Sequence, residues 1–134
     1  MSRNVLADTG PLYAYALTKD ALHGRAEAEL SQLRVTGHTL LIPQPILLET
    51  HKLLLSRTHA DFATRFISSL AHGADRINPR SVHYNAAITL AEQYPDQDLS
   101  LYDTLLAVLS AEFEVAIWTF DHHFDILSAD VWRP

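Results

Sequence analysis

The chain has 134 residues, 48% of them apolar and 19% charged, which suits one domain spanning 1–134 and excludes a disordered composition. The absence of cysteine excludes disulfides and thiolate metal sites, and a net charge of −6 argues against a nucleic-acid binder built on a basic surface. A carboxylate cluster holding divalent cations would offset most of that charge, so the global sign is a weak guide to partners; no apolar run approaches the roughly 20 residues of a membrane span, and a cytoplasmic protein is expected.

In chain order, "RNVLA" (3–7) is a short apolar strand that runs into Asp8, and "DTGPLYAYAL" follows with Gly10 and Pro11 where a helix begins. Residues 21–35 are rich in helix formers, with Leu22, Ala26, Leu30 and Leu33 near helical spacing, and Gly37 closes that segment. "TLLIP" (39–43) is a second buried strand, and 44–57 is a helix with Pro45 in its first turn. Residues 60–73 form an amphipathic helix, 75–79 a weak third strand, and 81–94 a helix broken by Pro95. A strong helix over 100–113 leads into a fourth strand over 115–120; "HHFDIL" starts a short helix, and "DVWRP" is at most an edge strand. Short strands alternating with helices predict an α/β fold of three layers, α/β/α, around a small, mainly parallel sheet with right-handed crossovers.

Four acidic residues stand at positions where chemistry is accessible. Asp8 and Asp121 end strands, and in an open parallel sheet ligands bind beyond the carboxyl ends of the strands. Each would also serve as an ordinary helix cap or turn residue. Asp103 follows Ser100 by three, a spacing that resembles a capping box. Glu49 lies on a helix between Ile46 and Leu53 on one side and Lys52 and Ser56 on the other, so it borders the buried face; pairing with Lys52 or His51 is its bland alternative. Four carboxylates converging on one sheet edge repel one another, and hard cations such as Mg²⁺ or Mn²⁺ relieve that repulsion. Such a centre suits hydrolytic phosphoryl chemistry. Nucleotide-dependent transfer lacks a glycine-rich cradle, since the chain has only 4 Gly.

The stretches "VLADTGPLYA", "PILLETHKLL", "DLSLYDTLLAVLSAEF" and "WTFDHHF", in this order and spacing, resemble the PIN domain family, in particular VapC-type toxins of toxin–antitoxin modules. The resemblance covers nearly the whole chain. It implies an endoribonuclease in which Asp8, Glu49, Asp103 and Asp121 hold Mg²⁺ or Mn²⁺ and an activated water hydrolyses RNA phosphodiesters. It further implies auxiliary roles for Asp125, Thr9 and Thr119, a homodimer, and a cognate antitoxin that wraps the groove and can push an Arg into the acidic pocket. His122 and His123 stand where similar sequences often carry basic residues; they are expected to face solvent in the first turn of the last helix. Lys52, Arg57, Arg65, Arg76 and Arg80 are candidates for phosphate contacts, and Tyr13, Tyr15 and Tyr102 are expected in the core rather than against a base.

Two rival readings are a noncatalytic PIN-like module that binds RNA or protein, and a His/Asp metal centre in "DHHFD". The spacing of the latter fits no phosphoesterase pattern, and no second histidine cluster supports it.

Overall fold

A computed structural model describes residues 3–134. The strands are β1 (Asn4–Ala7), β2 (Thr39–Pro43), β3 (Asp75–Ile77) and β4 (Ala116–Trp118). The helices are α1 (Thr9–Ala16), α2 (His23–Val35), α3 (Gln44–Arg57), α4 (Ala60–Gly73), α5 (Ser81–Glu92), α6 (Leu101–Phe113) and α7 (His123–Ile126). The strands form one parallel sheet in the order β3-β2-β1-β4. Right-handed connections put α1 to α4 on one face and α5 and α6 on the other. The contacts agree: α1 packs on α2 and α3, α3 on α4, and α5 on α6. The three-layer α/β reading therefore holds.

Strand β1 is central, and Val5, Leu6 and Ala7 are buried on both of its faces, as a parallel strand covered by helices requires. Around it close Leu12, Leu33, Ile42, Ile46, Leu106, Leu109, Ile117, Trp118 and Phe124 in one core. Chain order reverses at β1, since β2 lies on one side of it and β4 on the other. The crevice beyond the carboxyl ends of β1 and β4 is the topological switch point, where ligands of such sheets bind.

Several boundaries differ from the sequence expectation, each for a local reason. The third strand stops at Ile77 rather than 79, because Ile77 pairs with Pro43, the last residue of β2, and Pro79 has no N–H to give a ladder. The fourth stops at Trp118 rather than 120, because its partner there is Ala7 and the next residue, Asp8, already caps α1. Helix α2 begins at His23, since Asp20 takes the Leu22 N–H and the His23 N–H in a turn; Leu22 is left exposed instead of joining the apolar stripe. Helix α5 ends at Glu92, two residues before the position that precedes Pro95. The terminal segment forms one bridge, Val131 to Ile117, rather than a full strand.

Helix α6 ends on Glu114 with φ +53°, a left-handed cap whose N–H bonds to Ser110 O. A side chain in that conformation costs roughly 1–2 kcal/mol, and glycine avoids the cost while losing about 0.4–1 kcal/mol to unfolded-state entropy. Glu114→Gly is therefore expected to raise stability by about 0.5–1 kcal/mol, read from urea unfolding at unchanged m-value.

Candidate active site

Asp8, Glu49, Asp103 and Asp121 line one cleft of about 480 Å³ at the switch point. Each is delivered by a different element. Asp8 leaves the end of β1 in extended conformation as the N-cap of α1. Glu49 sits one turn and a half into α3. Asp103 is in the first turn of α6, which must start at this edge: its 13 residues span about 20 Å, and only Glu114 and Val115 connect it back to the start of β4. Asp121 follows β4 by three residues.

Hydrogen bonds fix the carboxylates on both sides. The Thr9 N–H donates to Asp8 Oδ1 at 2.8 Å, and the Thr9 hydroxyl donates to Glu49 Oε1. Asp121 N–H donates to Thr119 Oγ1 at 2.9 Å, which leaves the Thr119 proton to donate to Asp8 Oδ2 at 2.7 Å. Thr119 thus ties the ends of β1 and β4 together at the level of their side chains. Glu49 takes Thr9 rather than Lys52 or His51, and its burial is intermediate.

The capping expectation for Asp103 also holds. Asp103 Oδ2 accepts the Ser100 N–H at 3.1 Å while Ser100 Oγ accepts the Asp103 N–H at 3.2 Å. One oxygen of Asp103 remains for other partners. Asp121 Oδ1 accepts the His123 N–H at 2.9 Å, an Asx turn that starts α7, so capping and exposure to the cleft coexist in this residue.

Burial sets the electrostatics. Asp8 is only 7% exposed, and desolvation pushes its carboxyl up to about 6, against the opposing bonds from Thr119 and Thr9; the charges of Asp103 and Glu49 add to the rise. Asp103 is raised too, first by burial and then by the neighbouring Asp121 carboxylate, with the Ser100 backbone bond opposing. Negative charge is thus held where water solvates it poorly, an arrangement that a bound cation would stabilise.

Other residues fall into place or out of it. Asp125 does not line the cleft; it pairs with Arg133 at 2.7 Å on the neighbouring surface. None of Lys52, Arg57, Arg65, Arg76 or Arg80 lines it either, and Arg65 is bound to Asp61. Tyr15 and Tyr102 pack against the core as expected, whereas Tyr13 lines the cleft, beside Phe120 and His122. The two histidines diverge. His122 is exposed, but His123 turns inward: its Nδ1 lies 2.8 Å from Asp121 Oδ1, and one of its ring nitrogens stands with carboxylate oxygens of Asp103 and Asp121 in a set lying within 4.8 Å of one another.

Sequence reasoning also missed a brace behind the site. Glu29 of α2 is buried and accepts Trp118 Nε1 at 2.8 Å and Arg25 Nε at 2.8 Å. The Arg25 guanidinium lies 4.2 Å over the Phe120 ring. The i,i+4 spacing of Arg25 and Glu29 was visible, but it reads as a solvated helix pair. A wider groove of about 750 Å³ between α5, α6 and residues 127–130 gathers no comparable set of acids.

Comparison with known proteins was made on both sequence and structure. No protein-family model and no curated protein matches the sequence. The fold does match: the crystal structure of VapC20 from Mycobacterium tuberculosis, described as a Sarcin-Ricin loop cleaving toxin, superposes with a TM-score of 0.84 at 18% identity, covering 97% of this chain and 99% of that one. The chain has the PIN-domain fold of VapC-type toxins. A second PIN-domain match is VapBC2 from Rickettsia felis, solved bound to a DNA fragment from its promoter, with a TM-score of 0.72 at 15% identity and 97% coverage of both chains. Among the described residues of this PIN-like fold, no helix is long and apolar enough to cross a membrane.

Proposed function

We propose that the chain is a divalent-metal-dependent endoribonuclease of the VapC toxin type, neutralised in the cytoplasm by a cognate antitoxin and acting as a homodimer. The observation that carries this reading is the convergence of Asp8, Glu49, Asp103 and Asp121 from four separate elements on one cleft at the switch point. The donor set is all oxygen from carboxylates, with a nitrogen nearby, which fits Mg²⁺ or Mn²⁺. When bound, the ion supplies a Lewis acid and a water of lowered pKa.

The chain's own groups do the rest. Thr9 and Thr119 hold Asp8 and Glu49 in place at the cleft, and each carboxylate keeps lone pairs beyond those bonds. Asp103 and Asp121 complete the lining from α6 and the segment after β4. Tyr13 and Phe120 offer aromatic surface to an unstacked base, in keeping with recognition of RNA loops rather than duplex. The scarcity of cations in the cleft leaves substrate phosphates to the metal. The likeness to VapC20, a toxin that cleaves the Sarcin-Ricin loop, and to a VapBC complex adds support for an RNA substrate and an antitoxin partner.

The test is cleavage of ribosomal and transfer RNA by the purified protein, with 5′-end mapping, in Mg²⁺, Mn²⁺ and EDTA. Discrete cuts bearing 5′-phosphates, absent in EDTA and reduced by about a thousandfold or more in Asp121→Asn, are the expected result; that factor is about 4 kcal/mol of transition-state stabilisation. Metal binding without cleavage of any RNA would favour the noncatalytic module instead.

A further inference from the structure

We propose that His123 is a nitrogen ligand in the acidic centre, and that it biases the site toward Mn²⁺ and later first-row ions over Mg²⁺. The inference rests on the reading of the cleft as a metal centre and goes beyond an all-carboxylate quartet.

The geometry points to it in three ways. His123 Nδ1 is buried and has no hydrogen-bond partner. It lies 2.8 Å from Asp121 Oδ1 but without the alignment a hydrogen bond needs, while the same oxygen already takes the His123 backbone N–H. With the Nδ1 lone pair facing the carboxylate, the two atoms repel at that distance unless a cation lies between them; a proton on Nδ1 is the competing arrangement, which the spectrum below distinguishes. Two adjacent ligands on an octahedral ion with bonds of about 2.1 Å sit about 3 Å apart, close to the spacing observed.

The set also closes on a third donor. A carboxylate oxygen of Asp103 lies within 4.8 Å of both a ring nitrogen of His123 and a carboxylate oxygen of Asp121, so one ion could meet all three residues. The backbone holds the ring in place: the Asx turn from Asp121 to His123 N–H fixes the start of α7, and the His122 ring stacks on His123 with centroids 4.5 Å apart. A ligand seated before the ion arrives loses little freedom on binding. Magnesium favours oxygen donors and octahedra rich in water, whereas imidazole suits first-row transition ions better. One nitrogen in the set therefore shifts selectivity without disturbing the charge supplied by the acids.

The experiment is pulsed EPR on the full chain loaded with Mn²⁺, alongside calorimetric titration of Mn²⁺ and Mg²⁺. The expected result is an electron-spin-echo modulation from directly bound ¹⁴N, present in the wild type and in His122→Gln and absent in His123→Gln. Mn²⁺ affinity should fall about 10- to 100-fold in His123→Gln while Mg²⁺ affinity changes less than about threefold. Because the spectrum is taken on the wild type, a poorly folded variant does not decide the question. Mn²⁺ bound in a manner dependent on Asp103 and Asp121, but with no ¹⁴N modulation, overturns the proposal and leaves the metal centre standing. Mn²⁺ binding that is absent, or unchanged in Asp103→Asn with Asp121→Asn, overturns both.

Discussion

Replacing Asp8 with asparagine should lower RNA cleavage by about a thousandfold or more while making the metal-free protein more stable at neutral pH. The loss of activity follows from removing one of the four carboxylates that line the cleft. The gain in stability follows from burial. The folded chain holds the Asp8 carboxyl at about 6, against an ordinary value of 3.8, so it retains a proton over a pH range in which the unfolded chain has lost it. The stability this group contributes is complete below about pH 4 and is lost as pH rises through about 6, which by pH 7 amounts to about 3 kcal/mol. The variant does not titrate there. Its advantage over the wild type should therefore grow from near pH 4 to pH 7 in urea unfolding with EDTA, where the contributions of groups remote from the cleft cancel in the comparison. Magnesium should close the gap, since a ligand at about 100 times its Kd stabilises by about 2.7 kcal/mol. A difference flat in pH would remove the buried charge from the account.

Glu29→Ala is the second large effect, and it lies outside the cleft. Truncation strands the buried Trp118 Nε1–H, frees Arg25 and opens a void between α2 and β4, at a cost of about 2–4 kcal/mol. Glu29→Gln keeps an acceptor for the indole and should cost about 1 kcal/mol. Trp118→Phe should couple strongly with Glu29→Ala in a double-mutant cycle, because each change removes the same bond. Thr119, Phe120 and Asp121 follow Trp118 directly, so the loosened strand end should lower kcat for cleavage at temperatures well below the unfolding midpoint. Additive stabilities in the cycle would show that the bond contributes nothing.

Much of the fold was legible because the punctuation is local. Gly37, Pro43 and the Ser100–Asp103 box stop or start elements through interactions within a few residues, and the chain order of strands and helices then leaves few topologies. The same holds for Asp8 and Asp121, whose places at strand ends follow from where the apolar runs stop. The residues that escaped notice depend on contacts across the sheet. Glu29 looks like any helix-surface glutamate until β4 brings Trp118 to it. The inward turn of His123 is set by an Asx turn that a run of two histidines does not reveal. Tyr13 is expected in the core rather than against a base, yet α1 buries its neighbours Leu12 and Ala14 and leaves Tyr13 lining the cleft.

The bond between Thr119 and Asp8 spans 111 residues of chain, and this bears on when the cleft first takes shape during synthesis. Synthesis delivers Asp8 first, then Glu49, then Asp103, and β4 last of the strands. Until β4 docks beside β1, Asp8 has no Thr119 to hold it and the cleft has no Asp121. A chain that has emerged only as far as α6 therefore carries no assembled cleft, even though three of the four acids are already present.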